Sequence, residues 1–235
     1  MKLKTAVNII SIVVLNLFCV GAIFAQSSFE GVGGNVDVNA NINQDLYSQL
    51  DISPVTVEVR EPATVSIQLL LADNTPKPGR SVEIYVNGVS TGISITQPGV
   101  TDSNGRTSGT ISSTVAGTYE VCAMDTTDTV DIYILDCETL YVVPVTAPVL
   151  LSEPQYTQGN TNTLSWNMSG SGTYTYFIQS AKDSNFTNSV TDSGWIGTRS
   201  YQFTNLTDSQ IYFYRVKAKN SYGAESAWSN VVYSV

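Results

Sequence analysis

The run Tyr212-Phe213-Tyr214-Arg215-Val216-Lys217-Ala218-Lys219-Asn220 constrains this chain more than any other stretch. Tyr212, Tyr214, Val216 and Ala218 alternate with Phe213, Arg215, Lys217 and Lys219, the period of a half-buried β-strand. Leu206 stands six residues before Tyr212. That spacing suits a chain that turns a corner and plugs it with a tyrosine, its ring buried and its hydroxyl satisfied on nearby backbone, as β-sandwiches do. After residue 25 the sequence contains no segment with helical periodicity.

Composition agrees with strands. Thr, Ser, Asn, Tyr and Val are abundant, and only 13% of the 235 residues are charged, a strand-and-turn usage. The length allows one large domain or two small ones, each with its own core.

Residues 1–25 read as a signal peptide. Lys2 and Lys4 precede an apolar run over 6–24, and Gly21, Ala22 and Ala25 offer small residues for cleavage. The chain is then exported, secreted or held at the cell surface. Membrane contact is expected only if the segment is uncleaved, because the run approaches the minimum spanning length. Phe18 before Cys19 is too bulky for a lipoprotein cleavage site. Residues 26–146 carry four basic residues (Arg60, Lys77, Arg80, Arg106) against fifteen acids, whereas residues 147–235 carry five of each. An acidic half without a basic patch excludes nucleic acid as a partner.

Cys122 and Cys137 remain after the signal, an even pair in an oxidising compartment. Two readings stand. A disulfide would close a loop of about 15 residues and contribute about 3 kcal/mol. Alternatively, a hairpin turning near Thr126-Thr127 would place Cys122 opposite residue 131 and leave two separately buried thiols.

Residues 26–53 read as a polar leader or linker. Within it Asn35-Val-Asp-Val-Asn-Ala-Asn-Ile-Asn43 alternates, which fits either a strand donated to a neighbouring subunit or an Asn-rich linker. From Pro54, strand-like runs at 55–60, 63–71, 81–86, 107–113, 118–123, 130–135 and 140–143 are separated by Pro/Gly, Asn-Gly and Asp-Asn-Gly turns, the pattern of an antiparallel sandwich. Three segments, Leu71-Ala-Asp-Asn-Thr-Pro-Lys-Pro-Gly-Arg-Ser-Val-Glu-Ile84, Thr101-Asp-Ser-Asn-Gly-Arg106 and Ala116-Gly-Thr-Tyr-Glu-Val121, resemble bacterial Ig-like domains of the invasin and intimin type over residues 54–146. At Thr146-Ala-Pro148 the charge balance and motif set change. Residues 147–235 resemble a fibronectin type III domain, through Leu164-Ser-Trp166, the Leu206/Tyr212 corner, Arg215-Val216-Lys-Ala218-Lys-Asn220 and the closing Ser229-Asn-Val231. That resemblance implies that Leu164, Trp166, Leu206, Tyr212 and Val216 are core and corner residues. The expected fold is all-β: two tandem immunoglobulin-like β-sandwiches after a signal peptide.

The chain has no histidine. A Ser-His-Asp or Cys-His arrangement cannot be built, nor a histidine-containing zinc site. No catalytic residue and no cofactor is expected, and no metal site, since the oxygen-rich turns at Asp102-Ser-Asn104 and around Asp125, Asp128, Asp131, Asp136 and Glu138 read as solvated acids. No Arg-Gly-Asp occurs. Trp228 is expected over Arg215 or Lys217, and Tyr222, Trp195 and Trp228 are the candidate surface contacts for a protein or glycan ligand. The expected role is a non-enzymatic binding or spacer module. The alternatives are a structural subunit assembling through the leader and an accessory module of an extracellular hydrolase.

Overall fold

The computed structural model describes Gln44, Asp45 and residues 47–235, which belong to one compact unit, Ile42–Val235. Residues 1–25, expected to be a signal peptide, most of the expected leader and the alternating run 35–43 lie outside the described residues. Among the described residues there are strands and no helix. The first sandwich comprises β1 (Gln44–Asp45), β2 (Gln49–Ser53), β3 (Thr56–Glu58), β4 (Ala63–Gln68), β5 (Val82–Asn87), β6 (Ile93–Thr96), β7 (Arg106–Ser113), β8 (Gly117–Asp125), β9 (Ile132–Ile134) and β10 (Glu138–Val143). The second comprises β11 (Val149–Leu150), β12 (Asn162–Asn167), β13 (Tyr174–Ala181), β14 (Thr191–Ile196), β15 (Ser200–Phe203), β16 (Tyr212–Asn220) and β17 (Val232–Ser234).

In the first sandwich a sheet ordered β2-β4-β7-β6 packs on one ordered β1-β9-β8-β10-β3, with β5 on the other side of β8. Alternation drives this. β4 reads buried-exposed throughout, and Val65, Ile67, Ile84, Ile111, Val121 and Leu140 meet in the core with almost no exposure. Each such side chain contributes about 1.5–3 kcal/mol by leaving water. Gly105 turns the chain between Asp102 and Arg106 at φ +70°, where a Cβ would run into the Leu69 carbonyl.

Three features differ from the sequence expectation. Gln49–Ser53, placed in the polar leader, is a strand: Leu50 and Ile52 are buried against β4, in register with Ile67 and Val65. Two apolar residues between polar ones are too short a signal to stand out. The chain then changes sheets at Pro54, so β3 pairs parallel to β10. Ile93–Thr96, unassigned from sequence, pairs with β7 as an edge strand. Beyond it the Gln97 amide donates to Ile84 O (2.7 Å) and accepts from Ile84 N (2.8 Å), closing the free edge of β5 with a side chain.

Cys122 and Cys137 are bonded, and the hairpin geometry that would have separated them is absent. β8 runs on to Asp125, so the turn falls later than Thr126-Thr127. β9 and β10 pair with the same side of β8 in two registers, Met124↔Tyr133 and Val121↔Glu138. The offset puts Cys122 beside Cys137, where the strand breaks.

The second sandwich stacks β11-β12-β15 on β14-β13-β16-β17. β16 shows strict alternation, and Tyr214, Val216 and Ala218 are fully buried. Leu164, Trp166 and Tyr212 are buried with them, and Leu206 packs half-buried on the same core. At the corner the Tyr212 hydroxyl accepts a 3.1 Å hydrogen bond from the Thr207 amide.

Candidate functional site

The sandwiches meet where β3 ends and where β13 begins and β16 ends. Tyr174 donates from its hydroxyl to Glu58 Oε1 at 2.7 Å. Asn220 Nδ2 donates to Glu58 Oε2 at 3.2 Å and to Val59 O at 3.1 Å. Arg60 Nη1 reaches Gly223 O at 3.4 Å, and Val59 packs against both cores. Hydrogen bonds to an ionised carboxylate are the stronger kind. Burial, followed by the Glu58 hydrogen bond and the charges of Glu58 and Glu61, pushes the Tyr174 phenol up to about 12. Gly170, at φ +125°, lies over that hydroxyl, and a Cβ there would come within 2.7 Å of it.

Asn220 also organises the turn that follows. Its Oδ1 accepts from Tyr222 N (3.1 Å) and Ala224 N (2.9 Å), so the residue that binds Glu58 also fixes the backbone carrying Tyr222. Glu61 Oε2 accepts from Glu58 N at 2.9 Å. Between the sandwiches these groups leave a cleft of about 530 Å³, lined by Glu58, Glu61, Ser171, Thr173, Ser221 and Tyr222 among others. Among the described residues no basic one lines it. Sequence reasoning missed Glu58, Tyr174 and Asn220 as a group, because Glu58 and Asn220 are 162 residues apart and nothing local marks the pairing.

The other two candidate aromatics lie elsewhere. On the outer face of β13 and β16, Arg215 sits between the rings of Phe186 (4.0 Å) and Trp228 (4.1 Å) and donates from Nε and Nη2 to Gln179 Oε1. Lys217 lies 5.1 Å from Trp228 and 5.5 Å from Trp195, with its ammonium on Glu225 at 2.5 Å. Lys219 covers Trp195 at 3.8 Å. The expected contact of Trp228 with Arg215 or Lys217 is present with both, within a longer ladder of alternating cations and rings. Its consequence is that the Trp195 and Trp228 rings each already carry cations. Tyr222, 47% exposed, has no ring or cation partner among the described residues.

The acidic turns are used internally. Asp102 Oδ1 accepts from Asn104 N (2.8 Å) and Arg106 N (2.9 Å), which closes its own turn. Asp125, buried, accepts from Arg80 Nε at 2.8 Å and from the Thr127 hydroxyl at 2.6 Å, while Arg80 also pairs with Asp128. Among the described residues no three acids or cysteines group as a metal site.

No protein-family model and no curated protein sequence matches this chain. Solved structures do. The adhesin InvE of Yersinia pseudotuberculosis aligns over 80% of this chain and 58% of its own, at 14% identity and a TM-score of 0.37. FdeC, an Escherichia coli adhesin, aligns over 81% and 65% at 13% identity and a TM-score of 0.43. An Fn3-like protein from Clostridium thermocellum aligns over 38% of this chain and 91% of its own, at 25% identity and a TM-score of 0.31. This chain spans less than two thirds of the InvE and FdeC chains. At these TM-scores the matches carry no argument about function. The fold rests on the strand pairing described above.

Proposed function

We propose that this chain is an exported, non-enzymatic binding or spacer module of the adhesion type, from a bacterial surface or secretome, that meets a protein or glycan through groups displayed on two stiff sandwiches. In this reading a bacterial Ig-like domain, extended at its start by β2, precedes a fibronectin type III domain. The supporting observation is the joint: Glu58 is held by Tyr174 and Asn220 from the other sandwich, which favours a fixed angle over a loose tether. The absence of histidine from the sequence leaves no Ser-His-Asp or Cys-His arrangement to build, which is consistent with display. The test is binding of the purified chain to glycan and extracellular-protein arrays, beside a panel of hydrolase substrates. Specific capture without turnover supports the reading. Turnover of any substrate contradicts it, and silence on both arrays overturns the binding role and leaves a spacer.

A further inference from the structure

We infer that the cleft between the sandwiches is a binding site for a neutral saccharide unit, with Tyr222 as the platform for one sugar face and Glu58 and Glu61 as acceptors for its hydroxyls. This deepens the binding-module reading and rests on it. The three candidate aromatics differ in what remains of them. Lys219 and Lys217 lie over the Trp195 ring, and Arg215 and Lys217 over the Trp228 ring. The Tyr222 ring is half exposed and lines a concave surface. A sugar ring presents C–H groups on a face and hydroxyls on its rim, so it needs a ring to lie on and polar groups around it.

The cleft supplies those polar groups. A carboxylate oxygen has two acceptor positions. Tyr174 and Asn220 take one on each oxygen of Glu58, which leaves the second on each. Glu61 Oε1 carries no hydrogen bond among the described residues, and neither do the hydroxyls of Ser171, Thr173 and Ser221. Uncommitted carboxylates accept from O–H donors and, with no basic residue in the lining, repel carboxylate and sulfate groups. The volume lies within the roughly 300–1,000 Å³ usual for small-molecule sites and far exceeds what a lone ammonium group fills. Preorganisation comes from Asn220, a positioning residue, which binds Glu58 with its amide nitrogen and the Tyr222 backbone with its amide oxygen.

The test is calorimetric titration of the full chain, as parent, Tyr222→Ala and Tyr222→Trp, with neutral gluco-, galacto- and manno-configured oligosaccharides and with uronate and sulfated ones. A neutral sugar should bind the parent and Tyr222→Trp, and bind Tyr222→Ala about tenfold more weakly, at unchanged melting temperature. Preference for the anionic sugars, or a neutral sugar held equally by Tyr222→Ala, overturns the cleft as the site but leaves a binding module. Capture of an extracellular protein without any sugar does the same. Silence towards sugars and proteins alike overturns both.

Discussion

Tyr174 donates a 2.7 Å hydrogen bond to Glu58 across 116 residues of chain, and in doing so ties the first strand of one β-sheet face to the edge of the preceding sandwich. The pairing makes a titration. The Tyr174 phenol is pushed up to about 12 from 10.0, first by burial and then by the Glu58 bond. Because the folded value exceeds the unfolded one, the stability it contributes is complete below about pH 10 and is lost as pH rises through about 12. In Glu58→Gln the phenol should ionise at lower pH than in the parent, as read by NMR of the Tyr174 ring. An unchanged value contradicts the coupling.

The disulfide spans a 15-residue separation at the break between β9 and β10. Replacing both cysteines by serine should cost about 3 kcal/mol, seen as a lower denaturant midpoint in the first sandwich. A midpoint that does not move would mean the two registers on β8 hold without the cross-link.

Trp228 is the shared rung of Arg215 and Lys217. Trp228→Ala should destabilise the second sandwich by about 1–2 kcal/mol, from two partly exposed cation–π contacts at about 0.5–1 kcal/mol each. Trp228→Phe, which keeps a ring, should recover part of the loss. Urea denaturation of both variants decides between a ladder that stabilises and one that merely stacks.

Arg80 shields a carboxylate that is 1% exposed on its side chain, Asp125. Arg80→Ala leaves that acid buried without its cation and should cost about 3 kcal/mol. Arg80→Ala combined with Asp125→Ala should be less damaging than Arg80→Ala alone. A thermal-melt cycle showing simple additivity would contradict the pairing.

The second sandwich was more legible in the sequence than the first. The alternation of β16, the Leu206/Tyr212 spacing and Leu164-Ser-Trp166 are local patterns, and each of these apolar residues packs into the core. β2 and β6 carry little local signal because each turns only two apolar residues inward, the buried Leu50 and Ile52 or the half-buried Ile93 and Ile95. The cysteine register was open because it depends on where β8 ends, which Asp125 and its partners Arg80 and Thr127 decide from another strand and the turn. Glu58 looked like one acid among many. Its role comes from Tyr174 and Asn220, which only the meeting of two sandwiches brings near. Tyr222, Trp195 and Trp228 were equivalent as residue types, and only the neighbouring cations tell them apart.

Glu58 makes one body of two sandwiches, and ¹⁵N relaxation of residues 47–235 tests this directly. We expect residues of both sandwiches to share one rotational correlation time in the parent and to separate into two in Glu58→Ala, with each sandwich still folded. Two independent correlation times in the parent would show that the Glu58 joint does not hold the sandwiches together.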